Sequence, residues 1–183
     1  MLEKYNFLKN PKKDFAEAIS SPEYFQNRNV YFIEHSEGKY VRDYLVNDFC
    51  GSFDQYFIFL TEAIKKRYTF KIEKFELYNE NIYKFCLDLY EQWKKPVNCH
   101  AYFGFGGHGS FDMHTDMGHV LIVILDGTKE IEFLDNKILL NKGDSIYISP
   151  NKPHKATNIT DCLSLSFGSI DYDGELNGFL SKL

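Results

Sequence analysis

The sequence predicts a mainly β barrel with a jelly-roll path, covered by a helical N-terminal layer. Two observations predict this fold. As far as Trp93, apolar residues recur at steps of three and four, which is the period of an amphipathic helix. Beyond Pro96 the chain changes to short runs rich in β-branched and aromatic residues, separated by turn-forming residues. A length of 183 residues suits one domain.

Two segments of the N-terminal half carry a clear helical stripe. In ENIYKFCLDLYEQW the apolar positions form one broad face: Ile82, Phe85, Cys86, Leu89, Tyr90 and Trp93. A second face is formed by Phe53, Tyr56, Phe57, Leu60 and Ala63. Ser52 precedes it, where a helix N-cap is expected. Between the two helices, NVYFIEH and TFKIEKFEL have the composition of strands with weaker support.

Seven strands are predicted after Pro96, and a sandwich or a small barrel would accommodate them. The runs are NCHAYFGF, HVLIVIL, KEIEFL, KILL, SIYIS, HKATN and CLSLSFG. Turn signals such as Asp126-Gly127 and Lys142-Gly143-Asp144 separate them. We therefore divide the one domain into a helical layer at 1–96, a barrel core at 97–170 and a short tail at 171–183.

Composition excludes several classes of protein. Hydrophobic residues make up 44% of the chain and aromatic residues 17%, so a packed core is expected. A net charge of -5 argues against nucleic acid as a partner. No apolar run is long enough to span a membrane, and the four cysteines form no CxxC pair, which predicts a cytoplasmic protein with free thiols.

One terminal motif qualifies the expected location. The chain ends in Ser181, Lys182 and Leu183, a peroxisomal address that is read only in a eukaryote. A short C-terminal helix can also end this way by chance. The sequence does not set the oligomeric state.

Histidine gives the first indication of a site, because five of the six lie between His100 and His154. Residues two apart share a face of a strand, so His114 and Asp116 point the same way, as do His154 and Asn158. Two imidazoles and a carboxylate on converging strands form the facial triad that holds Fe(II) with open positions. The alternative is that these are hydrogen-bonded core histidines in a chance H-x-D tripeptide.

Lys129 is the second indication. It shares a strand face with Ile131 and Phe133, while Glu130 and Glu132 point the other way. If the apolar face is the core face, an ammonium group lies inside the barrel and needs an anionic partner. A bound carboxylate ligand would supply one. The alternative is that Lys129 lies at the strand edge and reaches water.

At these residues the chain resembles the JmjC and cupin-like oxygenases that use Fe(II) and 2-oxoglutarate, especially their ribosomal-oxygenase branch. The likeness covers roughly 97–168. HAYFGFGGHGSFDMHTD is similar to the family's N-A-Y, glycine loop and H-x-D. Gly127 and Lys129 follow the next strand at the family's spacing, and GDSIYISPNKPH resembles G-D-x-L-Y-I-P followed by P-H. LSLSFG is similar to the closing strand.

The resemblance implies a double-stranded β-helix fold and a set of roles. His114, Asp116 and His154 would bind Fe(II) and form the catalytic centre. The 2-oxoglutarate pocket would comprise Lys129, Tyr102, Ser166 and His100, the last standing where ribosomal members usually have Asn. The implied activity is hydroxylation of a C–H bond with dioxygen.

The primary substrate stays open. The dimerisation and winged-helix regions of ribosomal oxygenases are not found after the barrel, so a protein, a peptide, an amino acid or a small molecule are all candidates. Two other functions are also compatible with the residues: a cupin metalloenzyme that does not use 2-oxoglutarate, and a non-catalytic sensor or binding module.

Overall fold

The computed structural model describes residues 6–37 and 39–169. The tail at 171–183, with its Ser-Lys-Leu end, lies outside the described residues. These described residues include four α-helices: α1 (Pro11–Ile19), α2 (Pro22–Gln26), α3 (Phe53–Lys65) and α4 (Glu80–Trp93). Short 3-10 turns lie at Val46–Asp48 and Phe75–Tyr78. No helix in the described ranges is both long and apolar enough to cross a lipid bilayer.

In the described part of the chain, ten strands form two sheets. The first three are β1 (Val30–Ser36), β2 (Lys39–Leu45) and β3 (Thr69–Ile72). The other seven are β4 (Val97–Gly104), β5 (Val120–Asp126), β6 (Thr128–Glu132), β7 (Lys137–Asn141), β8 (Ser145–Ile148), β9 (Lys155–Asn158) and β10 (Cys162–Ser169). The larger sheet has the order β2-β1-β3-β4-β10-β5-β8 and the smaller one β7-β6-β9. The predicted jelly-roll barrel is confirmed.

The N-terminal region contributes more than helices. β1 and β3 are the two weakly supported strands of the sequence, and β2 was not predicted. All three extend the larger sheet, since β3 pairs with β4 and places Lys71 beside Tyr102. The structure therefore joins the N-terminal strands and the barrel strands in one continuous sheet.

Alternation along the strands separates two apolar cores. Leu163, Leu165 and Phe167 of β10 belong to the core on the helix side of the sheet, where the rings of Phe167 and Phe85 of α4 have centroids 4.8 Å apart. The opposite face of β10 carries Ser164, Ser166 and Gly168, which line the space between the sheets. A second core closes part of that space; its members are Val120, Ile122, Ile124, Ile131, Phe133, Leu140, Ile148 and Cys162.

Helix boundaries follow from local chemistry. Ser52 caps α3 by accepting a hydrogen bond from the backbone N–H of Gln55, as its sequence position predicts. Asn79 caps α4 by accepting bonds from the N–H groups of Asn81 and Ile82. The helices then cover the outer face of the larger sheet and leave its inner face to the cavity described next.

Candidate metal centre and adjoining cavity

The structure brings His114, Asp116 and His154 together, as the sequence predicts. One ligand atom from each lies within 4.8 Å of the others. Asp116 Oδ2 is 3.4 Å from His154 Nε2 and 3.8 Å from His114 Nε2. The two rings have centroids 4.5 Å apart. This cluster can hold a metal ion through two nitrogens and one oxygen.

Backbone carbonyl groups orient both imidazoles. His114 Nδ1 lies 2.8 Å from the carbonyl oxygen of Asp112, and His154 Nδ1 lies 3.0 Å from that of Lys152. A carbonyl oxygen only accepts, so each Nδ1 carries the proton and donates it. Each Nε2 faces Asp116 and is the nitrogen that the neutral ring offers to a metal. A hydrogen bond of this kind fixes the tautomer of metal-binding histidines.

The backbone holds the two histidines in register although forty residues separate them. Each N–H donates to the other's carbonyl oxygen, at 3.0 Å and 2.9 Å, in an isolated antiparallel bridge. The N–H of Asn151 donates to the carbonyl oxygen of Asp116 at 2.7 Å. The loop before β9 is thus tied to the H-x-D segment, and the geometry is set before any ligand arrives.

A cavity of about 290 Å³ adjoins the three residues and runs along the inner face of the larger sheet. Its deep end holds Lys129 and Ser164, and Val120, Ile122 and Ala156 supply apolar wall. A volume at the lower end of the range for small-molecule sites suits a compact ligand.

Lys129 is buried in this cavity with only 4% of its surface exposed. Ile131 and Phe133 on the same face are buried too, so the predicted core face of the strand is confirmed. Its ammonium donates to Ser164 Oγ at 2.6 Å. Among the described residues no carboxylate lies within ion-pair distance of it, and burial lowers its pKa. The cavity holds a cationic group that lacks an anion.

The other predicted cofactor residues line the same cavity. Tyr102 and His100 lie on β4 and pair in register with Ser164 and Ser166 of β10. Burial raises the pKa of the Tyr102 hydroxyl, which keeps it protonated at neutral pH. The His100 Nδ1 atom is buried and has no hydrogen-bond partner. Burial, followed by the charge of Lys71, lowers the pKa of His100 to about 4.

Sequence reasoning missed the polar group that continues this wall on β3. Lys71 lines the cavity, and its Nζ lies 2.5 Å from Glu73 Oε1. Tyr31 of β1 is opposite Lys71 and has its ring 5.0 Å from the ammonium. The alternation of TFKIEKF is the one signal that was available, because it puts Lys71 and Glu73 on the same face.

The histidines at 35, 108 and 119 are not part of the triad. His119 stacks on Trp93 at 5.3 Å and lies 2.6 Å from the Tyr147 hydroxyl, on the helix side of the sheet. His108 in the glycine loop faces His35 of β1, with ring centroids 5.6 Å apart. Burial lowers the pKa of both His35 and His108.

Fold and site together define a cupin-type barrel with a His-Asp-His cluster able to hold a metal. Residues 102–168 match the cupin domain family. The search of curated protein sequences returned no match. The sequence-derived resemblance is therefore supported by a family match to the barrel segment.

Among solved structures, the chain is similar to YcfD, a ribosomal oxygenase from Escherichia coli. The TM-score is 0.65 at 16% identity, over 99% of this chain and 50% of that one. The structure of YcfD with cobalt and 2-oxoglutarate has a TM-score of 0.64 at 17% identity, over 97% of this chain and 49% of that one. The structure of YcfD with cobalt and succinic acid has a TM-score of 0.63 at 17% identity, over 93% of this chain and 47% of that one.

The chain thus spans about half the length of the YcfD structures. At this identity the likeness shows the fold. The fold expected from the sequence resemblance is confirmed.

Proposed function

We propose that this protein is an Fe(II)- and 2-oxoglutarate-dependent oxygenase that hydroxylates a C–H bond of a primary substrate. The observation that carries the proposal is Lys129, a buried ammonium without a carboxylate partner, in the same cavity as His114, Asp116 and His154. The three-residue cluster can bind a metal and the ammonium group can bind an anion, so the cavity can hold both next to each other.

The donor set suits Fe(II). Two neutral imidazoles and one carboxylate are the ligands of the two-histidine, one-carboxylate iron sites, and three protein ligands leave further positions for other molecules. The Nε2 atoms of His114 and His154 face Asp116, because both Nδ1 atoms are bonded to backbone carbonyl groups. A closed structural zinc site would instead use four protein ligands.

Charge balance favours a dicarboxylate as the second ligand. A divalent metal, Asp116 and protonated Lys129 together carry two positive charges, which a dianion neutralises. Lys129 would donate a charge-assisted hydrogen bond to the distal carboxylate of 2-oxoglutarate. Tyr102 keeps its proton and would be a second donor, and Ser164 and Ser166 offer hydroxyl groups on the same wall.

When bound, the metal and 2-oxoglutarate supply oxidative decarboxylation coupled to transfer of oxygen from dioxygen to a C–H bond. The chain's own residues hold and orient the reactants. The ring tautomers of His114 and His154 are fixed by carbonyl groups, and Val120 and Ile122 keep the inner wall apolar. Lys129, in the same cavity as the three candidate metal ligands, would bind the end of the dicarboxylate that lies away from the metal.

The test is an anaerobic titration of the metal-free chain with Fe(II) and then with 2-oxoglutarate, followed by thermal unfolding. We expect each addition to raise the melting temperature. A ligand at a hundred times its Kd should raise the free energy of unfolding by about 2.7 kcal/mol. His114→Ala should remove the response to metal. Lys129→Met should keep the response to metal and lose at least tenfold in affinity for 2-oxoglutarate.

The matched control is Lys137→Met, an exposed lysine on the neighbouring strand β7 that pairs with Glu130 on the outer face. It should respond to both ligands as the unmodified chain does. A metal response without any response to 2-oxoglutarate would indicate a cupin metalloenzyme of another type. No uptake of metal would leave a binding or sensor module, and release of succinate by His114→Ala at the normal rate would refute the ligand assignment.

A further inference from the structure

The polar wall of the cavity continues beyond the groups that the proposed function uses. Register across the larger sheet places Ser164 opposite Tyr102, Tyr102 opposite Lys71, and Lys71 opposite Tyr31. These side chains therefore form one row on the inner face, from the deep end near Lys129 to β1. The outer part of this row, with Glu73 beside it, is not used by the proposed function. His100, which the resemblance assigned to the 2-oxoglutarate pocket, lies next to Glu73.

That outer part contains opposite charges within a partly buried wall. Lys71 Nζ and Glu73 Oε1 are 2.5 Å apart, and their side chains are 13% and 25% exposed. Such a pair gains little net stability, because desolvation of two charges offsets their attraction. The ion pair therefore calls for a role besides stability.

Hydrogen-bonding capacity at this place exceeds the internal partners. An ammonium has three donors and a carboxylate about four acceptor sites. His100 Nδ1 is buried without a partner and lies 3.8 Å from Glu73 Oε1, which is too far for a hydrogen bond. A ligand group between them would satisfy both, so the unpaired nitrogen points to a polar ligand at this wall.

We infer that Lys71, Glu73 and His100 form the subsite for the primary substrate and that this substrate is a small zwitterion of the α-amino acid type. Its carboxylate would pair with Lys71, and its ammonium with Glu73. The inference rests on the proposed function for what happens to the substrate afterwards. The binding itself depends only on the Lys71, Glu73 and His100 side chains.

Charge complementarity favours a zwitterion over the alternatives. A lone anion would be repelled by Glu73, and a lone cation by Lys71, whereas opposite charges on adjacent carbon atoms match an ion pair whose members are already in contact. The cavity of about 290 Å³ is also small, and part of it would be filled by 2-oxoglutarate.

The experiment uses the full chain and ligand-observed saturation-transfer NMR. The probes are the twenty proteinogenic L-amino acids, first with the metal-free chain and then with the chain loaded with Zn(II) and 2-oxoglutarate, so that no turnover occurs. We expect at least one free amino acid to bind. Its N-acetyl form and its carboxamide form should each bind at least tenfold more weakly, since each removes one of the two charges.

Variants test the assignment to residues. Lys71→Met and Glu73→Gln should each lower the affinity for the amino acid at least tenfold. The matched control is the ion pair between Lys137 of β7 and Glu130 of β6, whose atoms are 2.9 Å apart outside the cavity, with the variants Lys137→Met and Glu130→Gln. Those two variants should bind the amino acid as the unmodified chain does. If a cavity variant does not fold, the comparison of free, acetylated and amidated ligands still decides the question.

The outcomes separate the two proposals. Binding of an amino acid that depends on both charges, in a chain that ignores 2-oxoglutarate, would support the subsite and overturn the proposed function. A chain that binds metal and 2-oxoglutarate but no free amino acid would overturn the subsite alone. Equal binding of the free and acetylated forms, or normal binding by Glu73→Gln, would also overturn it.

Discussion

Lys129 shows how one residue can act against stability in favour of binding. An ammonium with 4% exposure and a single hydroxyl partner has lost most of its hydration. The folded state therefore resists protonation, and burial lowers the pKa of Lys129 below its ordinary value of 10.5. The cost is present in the ligand-free chain and is recovered when an anion enters the cavity.

Lys129→Met should therefore stabilise the ligand-free protein by about 1 kcal/mol at pH 7, although Ser164 loses its donor. The unfolded chain binds this proton below pH 10.5, so the unmodified protein gains stability as pH rises towards that value. The stability advantage of Lys129→Met over the unmodified chain should therefore decrease as pH rises. Urea unfolding at pH 7 and pH 9.5 measures both effects, and a less stable variant at pH 7 would contradict the argument.

The alternation of side chains along a strand was sufficient to find the candidate ligands, but it did not reveal the rest of the cavity wall. Lys129 follows from alternation within β6 and lies on the face expected. The same argument paired His114 with Asp116, and the structure brings them together outside the named strands, with His114 in an isolated bridge to His154. Alternation within TFKIEKF puts Lys71 and Glu73 on one face, but whether that face borders the cavity depends on the pairing of β3 with β4. That pairing joins segments thirty residues apart and leaves no local mark in the sequence.

At the scale of elements, periodic segments were predictable and irregular ones were not. The helix α4 spans Glu80–Trp93, which is the segment read from its stripe, and the seven barrel strands all appear. The strand β2 was missed because Tyr44 is its one buried residue, so no alternation shows. The helices α1 and α2 are too short for a periodic stripe to identify them.

The turn between β5 and β6 depends on a glycine for two separate reasons. Gly127 has φ of +78°, and a Cβ atom there would lie 2.1 Å from the carbonyl oxygen of Asp161. Gly127→Ala adds backbone strain to a clash with rigid backbone, so we expect a loss of about 2–4 kcal/mol in the free energy of unfolding. Because β6 carries Lys129, affinity for 2-oxoglutarate should fall as well.

Gly143 provides the matched control for this turn. Its φ is +91°, yet nothing lies within 4 Å of the position that a Cβ atom would occupy. Gly143→Ala should therefore cost only the strain, about 1 kcal/mol. Urea unfolding of the two variants separates strain from collision. Equal losses would show that the contact with Asp161 does not matter.

At the scale of the whole molecule, apolar packing and polar function occupy opposite faces of one sheet. The face towards the helices is filled by large apolar side chains, which stabilise the fold without any ligand. The inner face carries histidines, lysines and hydroxyl groups whose burial costs free energy. Stability of the whole chain should therefore depend on pH, through groups that the folded state keeps neutral.

His35 gives the sharpest form of that dependence. Burial, with a smaller contribution from the charge of His108, lowers its pKa from 6.5 to about 4. The unfolded chain takes up this proton below pH 6.5 and the folded chain only near pH 4, so the free energy of unfolding should fall as pH drops across that window and level off below it. After discounting for partial exposure, His35 should account for about 1–2 kcal/mol.

His35→Gln should remove that share of the loss, because glutamine does not titrate and can still bond to Thr69, whose hydroxyl lies 3.2 Å from His35 Nε2. Urea unfolding at pH 7.0 and pH 4.5, with a chelator present so that loss of metal does not contribute, measures the difference. Burial also lowers the pKa of His100 to about 4, so His100 should still contribute its own part of the loss of stability in the variant. A variant that loses as much stability as the unmodified chain between these two pH values would show that the folded state protonates His35 freely.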